Sequence, residues 1–227
     1  MVSPTRPVVH FPQTLPLSVL VTGFDSFGGN TVNASWLIAQ QLHGSRIAGH
    51  RLISAQLPTV FSQSATDLYA LMREHCPALV ICLGLSESTR SISIERIAIN
   101  VDDARIADNA GRQPIDEPVV LGAPAAYFSL LPIKAMRAAI NAKGIPAEIS
   151  QSAGTFVCNH VFFKLMHLLA TDDQFKGVRG GFMHVPPVSE TDGQGLPLAQ
   201  LVDGVRIGVH TALTAVADIR TEGGSLN

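Results

Sequence analysis

Three continuous apolar runs constrain this chain more than anything else in it: Ser18–Phe24 (SVLVTGF), Ala78–Leu83 (ALVICL) and Gly181–Val185 (GFMHV). Runs of this length without polar alternation read as strands buried on both faces, as in a parallel sheet. Gly84 ends the second, and Pro186 and Pro187 stop the third. Between them the period changes. Asn33 or Ser35 can cap a helix through His43. Phe61, Ala65, Leu68 and Met72 share one face of a helix of about 61–75. Pro132–Lys143 opens on proline and stops at Gly144, the usual helix asymmetry. Leu198, Leu201, Val202, Val205, Val209, Leu213 and Val216 line a long C-terminal helix. Arg51–Leu57, Glu95–Val101 and Ala147–Ser150 complete the strands, and Asp102–Glu117 reads as a polar loop. Strands alternating with helices imply a mostly parallel twisted α/β sheet covered on both faces. Residues 1–16 read as a proline-broken arm, and no linker or repeat divides the rest of the chain.

The totals exclude several functions. With 227 residues, 46% of them apolar and 15% charged, the chain can bury a large core. A net charge of −2 without a Lys/Arg run argues against nucleic acid or an anionic membrane as partner. No apolar run reaches the length of about 18 that crosses a bilayer, and the N-terminus does not read as a signal peptide. Three cysteines, Cys76, Cys82 and Cys158, form no framework spacing and fit free thiols in a reducing cytoplasm.

The chemistry concentrates at Gln151–His167. A turn-prone run, Ser152–Thr155, leads into Cys158, and Val161, Phe162, Leu165, Met166 and Leu169 follow at helical spacing. Cys158 therefore stands at or just before a helix N-terminus, where free N–H groups and the helix dipole stabilise a thiolate. A buried, inert cysteine is the competing reading. A nucleophile needs a base, and the base an orienter. His160, two residues on, points elsewhere on a helix. His43, His50, His75 and His210 sit at element ends or on helix faces, and His167 is a packing or surface residue. His184 closes a buried strand, so it is either a satisfied core residue or a catalytic base. Glu95 is read as opening an otherwise apolar strand; it is an orienter, a partner of Arg90 or Arg96, or exposed. Asp102, Asp103, Asp116 and Glu117 read as loop residues. No HExxH, CxxC, GxSxG or complete phosphate-loop motif occurs.

Four blocks carry a resemblance: LVTGFDSFGGNTVNASW (20–36), SIERIAINVDDARIADNAGRQPIDEP (93–118), SAGTFVCNHVFFKLMH (152–167) and GGFMHVP (180–186). Together they resemble the pyroglutamyl-peptidase I family, or pyrrolidone-carboxylate peptidases, over nearly the whole chain from Leu17. The resemblance implies a single three-layer α/β/α domain over 17–227 with a mixed sheet, a cytoplasmic homotetramer, and no metal or cofactor. It implies a Cys158–His184–Glu95 triad that removes an N-terminal 5-oxoproline (pyroglutamyl) residue from peptides, with Arg105 assisting. It implies a substrate pocket of Phe24, Phe27, Thr59, Leu85, Ile106, Phe156 and Val157. The chain departs from the family pattern at GLSESTR (84–90), where Leu85 replaces Gln and Glu87–Ser88 replaces a glycine pair. Ser26 and Ile94 each replace a proline. Two alternatives stay beside the peptidase: a binding protein of the same fold with altered chemistry, and a different α/β hydrolase or nucleoside-processing enzyme with no role for Cys158.

Overall fold

Strand β1 (Ser18–Phe24) shows why the apolar runs matter. Val19 and Val21 point into one core and Leu20 and Phe24 into another, and all four are buried. Each Val or Leu side chain so buried contributes ~1.5–3 kcal/mol, and only a central strand can bury both sides. In a computed structural model of the protein, which describes residues 18–29, 32–189 and 195–224, β1 lies inside a seven-stranded sheet. The other members are β2 (Arg46–Ile47), β3 (His50–Leu57), β4 (Leu79–Leu85), β5 (Ile92–Glu95), β8 (Ala147–Ser150) and β9 (Arg179–Val185). The order is β2-β3-β1-β4-β9-β5-β8. β3, β1, β4 and β9 are parallel, while β5 runs antiparallel to β9 and carries β8 parallel to itself. The sheet is thus mixed and mostly parallel. The arm expected at 1–16 lies outside the described residues.

Helices α1 (Ala34–Leu42), α3 (Ile133–Asn141) and α5 (Leu198–Thr214) cover the face of Val19, Val21, Ile81 and Met183. Helices α2 (Phe61–His75) and α4 (Val157–Thr171) cover the face of Leu20, Cys82 and Phe182. The result is three layers. Asn33 caps α1 by accepting the Ser35 N–H at 3.1 Å.

Glu95–Val101, read from its alternation as one strand, is two. β5 ends at Glu95; β6 (Ile97–Ile99) leaves the main sheet to pair antiparallel with β7 (Ala126–Phe128). The break is at Arg96, whose N–H still donates to Ser150 O (3.0 Å) while its carbonyl accepts the Ser129 N–H (2.9 Å). Glu95 therefore closes a strand where the alternation had it opening one. Buried Asn159 of α4 holds β6: its Oδ1 accepts the Ile99 N–H at 3.0 Å, and its amide donates to Ile99 O and Val101 O. Residues 217–224 run back over the sheet edge. The Asp218 carboxylate accepts the Lys134 and Ala135 N–H groups at the start of α3, and Gly223 O accepts from Arg96 Nη2 (2.7 Å) and Gln151 Nε2 (3.1 Å).

Candidate active site

Cys158 is the second residue of α4. The approach loop turns at Gly154, whose φ of +77° is a left-handed conformation that a Cβ would strain. The residue before the helix, Phe156, is extended and offers no side-chain cap. The first intrahelical bond is His160 N–H to Phe156 O (3.1 Å), so the N–H groups of Val157 and Cys158 precede it and remain available at the positive end of the helix dipole.

The thiol rests on the end of β4. A Cβ built at Gly84 would stand 2.8 Å from Cys158 Sγ and 2.8 Å from Phe182 Cζ, closer than such atoms approach. Glycine at 84 is what lets the Cys158 thiol lie against the sheet. Gly84 is also the register partner of His184 on β9, which in turn pairs with Ser93 on β5. Paired residues share a face, and so do residues two apart on a strand. His184 and Glu95 therefore face α4 together, as a diagonal pair. His184 Nδ1 lies 2.7 Å from Glu95 Oε1, with side chains 10% and 1% exposed. Phe182 packs against the imidazole, ring centroids 4.9 Å apart. Cys158 is the other group that acts on the His184 ring, and because Nδ1 faces Glu95, Nε2 is the atom left for sulfur.

Burial alone would push the His184 imidazole down. The charge of a Cys158 thiolate, the hydrogen bond to it, and the hydrogen bond and charge of Glu95 outweigh burial and raise it to about 10. The surroundings so favour the charged imidazolium at His184. Cys82, on the same face of β4, behaves oppositely. Burial raises its thiol to about 12; Thr22 offsets this in part, and the Cys158 charge adds to it. Cys82 stays neutral and inert, and Cys76 is exposed on the far end of α2.

Cys158, His184 and Glu95 open on a cleft of about 640 Å³. Phe27, Leu85 and Phe156 line it, with Phe27 and Phe156 in contact at 6.1 Å between centroids. The other residues expected in the pocket are not among those that line this cleft. Phe24 is buried against Phe182, one layer behind the imidazole. The Thr59 N–H donates to Asp25 Oδ1 at 2.7 Å, tying the loop that carries Phe27 to the start of α2. Val157 is buried in the α2/α4 core. Arg105 and Ile106 are exposed and are not among the lining residues.

Three features escaped the sequence reading. Asp102, read as a loop residue, is buried and pairs with His160. Ser93 and Glu148 line the cleft beside the dyad. The strand pattern could have found these two, since the register sets Glu148 against Ser93 and Ser93 against His184. Nothing local marks Asp102. Among the described residues no group of three His, Cys, Asp or Glu side chains is arranged to hold a metal, and no helix is long and apolar enough to cross a membrane.

A thiol beside an imidazolium, with a buried carboxylate on the far imidazole nitrogen and N–H groups at a helix start, is an arrangement for nucleophilic attack on a carbonyl. Comparison with known proteins points the same way. The family model described as pyroglutamyl peptidase (Peptidase C15) matches residues 17–215. The pyrrolidone-carboxylate peptidase 1 of Ralstonia nicotianae is 49% identical over 215 residues, 92% of this chain and 99% of its own. The pyrrolidone-carboxylate peptidase of Bacillus cereus strain Q1 is 46% identical over 92% of this chain and 98% of its own. Among solved structures, the pyroglutamyl peptidase I of Bacillus amyloliquefaciens superposes with a TM-score of 0.85 at 41% identity, covering 89% of this chain and 99% of that one. The pyrrolidone carboxyl peptidase of Thermococcus litoralis gives 0.86 at 33% identity, over 90% and 99%. With its family model matched over most of its length and relatives near half-identical end to end, the chain belongs to the pyroglutamyl peptidase family of cysteine peptidases.

Proposed function

We propose that this protein removes N-terminal L-pyroglutamyl residues from peptides through Cys158, His184 and Glu95. The carrying observation is the 2.7 Å bond between His184 Nδ1 and Glu95, with Cys158 on the other side of the same ring. The Cys158 thiolate attacks the pyroglutamyl carbonyl, and the Cys158 N–H, at the start of α4, donates to the oxyanion. The imidazolium of His184 gives its Nε2 proton to the leaving amine. The freed imidazole then takes a proton from water, which attacks the thioester and releases pyroglutamate with the thiol restored. Glu95 keeps Nδ1 protonated and the ring aimed. Arg105, exposed and outside the cleft lining, is given no step.

A pyroglutamyl group is a flat lactam without a charged amine. It suits the apolar wall of Phe27, Leu85 and Phe156, while a free N-terminal amine would lose its hydration there. Leaving the lactam N–H or C=O unpaired would cost ~1–3 kcal/mol each, so backbone groups near Leu85 are assigned to it. Purified protein should release the fluorophore from an L-pyroglutamyl amide and leave leucyl, alanyl, glutaminyl and prolyl amides essentially intact. Cys158→Ser should abolish turnover while the circular-dichroism spectrum is kept. Retained activity in that variant would refute the mechanism; equal rates on prolyl and pyroglutamyl amides would refute the lactam reading. The proposal extends to a cytoplasmic homotetramer, and light scattering at micromolar concentration tests the assembly directly.

A further inference from the structure

The cleft does not end at the dyad. Register places Gly84, His184, Ser93 and Glu148 in one row across β4, β9, β5 and β8, all facing α4. Adjacent strands lie about 4.8 Å apart, so Glu148 stands about 10 Å from His184 along the row. Its Oε1 accepts from Ser93 Oγ at 2.8 Å and from Thr89 Oγ1 at 3.2 Å. Burial would raise this carboxyl, but hydrogen bonds from Ser91, Ser93 and Thr89 outweigh it and hold it below its ordinary value. Glu148 is therefore a fixed anion at the cleft wall. The groups that hold it so are hydroxyls.

The row also has a direction. The aromatic wall, Phe27 with Phe156, belongs to the β1 side of the Cys158–His184 axis, because Phe27 follows β1 directly. Glu148 lies on the opposite side, two strands beyond His184 at the sheet edge. If the lactam occupies the aromatic side, the leaving peptide is directed across His184 toward Glu148. Resting on the proposed peptidase reaction, we infer that Glu148 forms a subsite for a cationic side chain, lysine or arginine, on the residue that follows pyroglutamate. Ser93 and Thr89 act as positioning residues that keep the carboxylate facing the cleft. Thr89 belongs to the Gly84–Arg90 stretch in which this chain departs from the family pattern.

The test compares kcat/KM for pyroglutamyl-lysine, pyroglutamyl-glutamine and pyroglutamyl-glutamate amides. An exposed ion pair of this kind is worth a factor of about two to five, so the wild type should rank lysine above glutamine above glutamate by steps of that size. Raising the salt concentration should compress the ranking. Glu148→Gln should flatten it, and Glu148→Lys should invert it, with the lysine substrate slowing as the glutamate substrate speeds up. Opposite changes in one variant separate charge recognition from structural damage, which would lower both. Equal wild-type rates on the three peptides, or a ranking that survives Glu148→Lys, would overturn the subsite alone. Absence of turnover on every pyroglutamyl substrate would overturn the peptidase reading and the subsite with it.

Discussion

Two histidine–carboxylate pairs lie on either side of the start of α4. In one, His184 Nδ1 meets Glu95 at 2.7 Å; in the other, His160 Nδ1 meets Asp102 at 2.7 Å. Both pairs are almost wholly buried, at 10% and 1% exposure against 5% and 2%. By distance and burial they are the same object. They differ in what the second ring nitrogen meets. For His184 it is the Cys158 thiol and an open cleft. For His160 it is core: Nε2 is buried without a hydrogen-bond partner among the described residues, and the Phe61 ring stands edge-on at 5.5 Å. The second pair acts as a bolt. Asp102 exchanges backbone hydrogen bonds with Glu117, while the Asp103 N–H donates to Thr155 O and the Asp103 carbonyl accepts from the Thr155 hydroxyl, so the pair fastens the 102–117 loop to the approach to Cys158. A buried His–carboxylate pair is evidence of catalysis only when a reacting group stands at its free nitrogen.

The sharpest way to break the contrast is to delete each imidazole. His184→Ala should lower kcat/KM at least about a thousandfold with the unfolding midpoint nearly kept. His160→Ala should do the reverse. An uncompensated buried carboxylate costs ~3–5 kcal/mol, while activity per folded molecule should fall less than about tenfold. Paired activity and urea-melting measurements decide it, and a His160→Ala protein that is stable but inactive would erase the distinction. Removing only the orienting charge comes next. Glu95→Gln should cost roughly a thousandfold in kcat by presenting the wrong tautomer, whereas Asp102→Asn should show its effect chiefly in melting.

How much of this was visible beforehand depends on the range of the signal. Cys158 and the helix behind it are local, and a turn-prone run followed by helical spacing announces them. His184 was ambiguous, because a strand-ending histidine looks the same whether it faces solvent, core or thiol. Its partner Glu95 became identifiable only through resemblance, since the break at Arg96 that closes β5 is imposed by tertiary bonds to Ser150 and Ser129. The 2-residue strand β2 and the 3-residue β7 are too short to carry a period. Asp102 shares a sequence with exposed loop carboxylates and differs from them only by the packing of α4.

A smaller effect sharpens the catalytic half of the comparison. Gly84→Ala should displace the sulfur by a fraction of an ångström to about 1 Å and cut kcat by ten- to a hundredfold, with slowed alkylation by iodoacetamide as the direct readout. Unchanged alkylation would mean that the thiol does not depend on that contact. The gentlest test is pH. The His184 pKa is raised from 6.5 to about 10 in the fold, so its stabilising contribution is complete below about pH 6.5 and is lost as pH rises toward 10. In Cys158→Ser the thiolate is gone, so the contribution should be smaller and exhausted at a lower pH. Urea midpoints of both proteins between pH 6 and 10 would show the displacement, and superimposable profiles would count against the ion pair.

The strap formed by residues 217–224 has a consequence in time. Arg96, next to Glu95, is bonded to Gly223 O, 127 residues later in the chain, and Gln151 of the cleft wall shares that oxygen. At about 5–20 residues per second, translation leaves roughly 6–25 s between the synthesis of Arg96 and that of its partner. A nascent chain thus carries Cys158, His184 and Glu95 before the wall beside them is fastened. The cleft wall beside Glu95 is therefore fastened only once Gly223 has been made, after Cys158, His184 and Glu95 themselves.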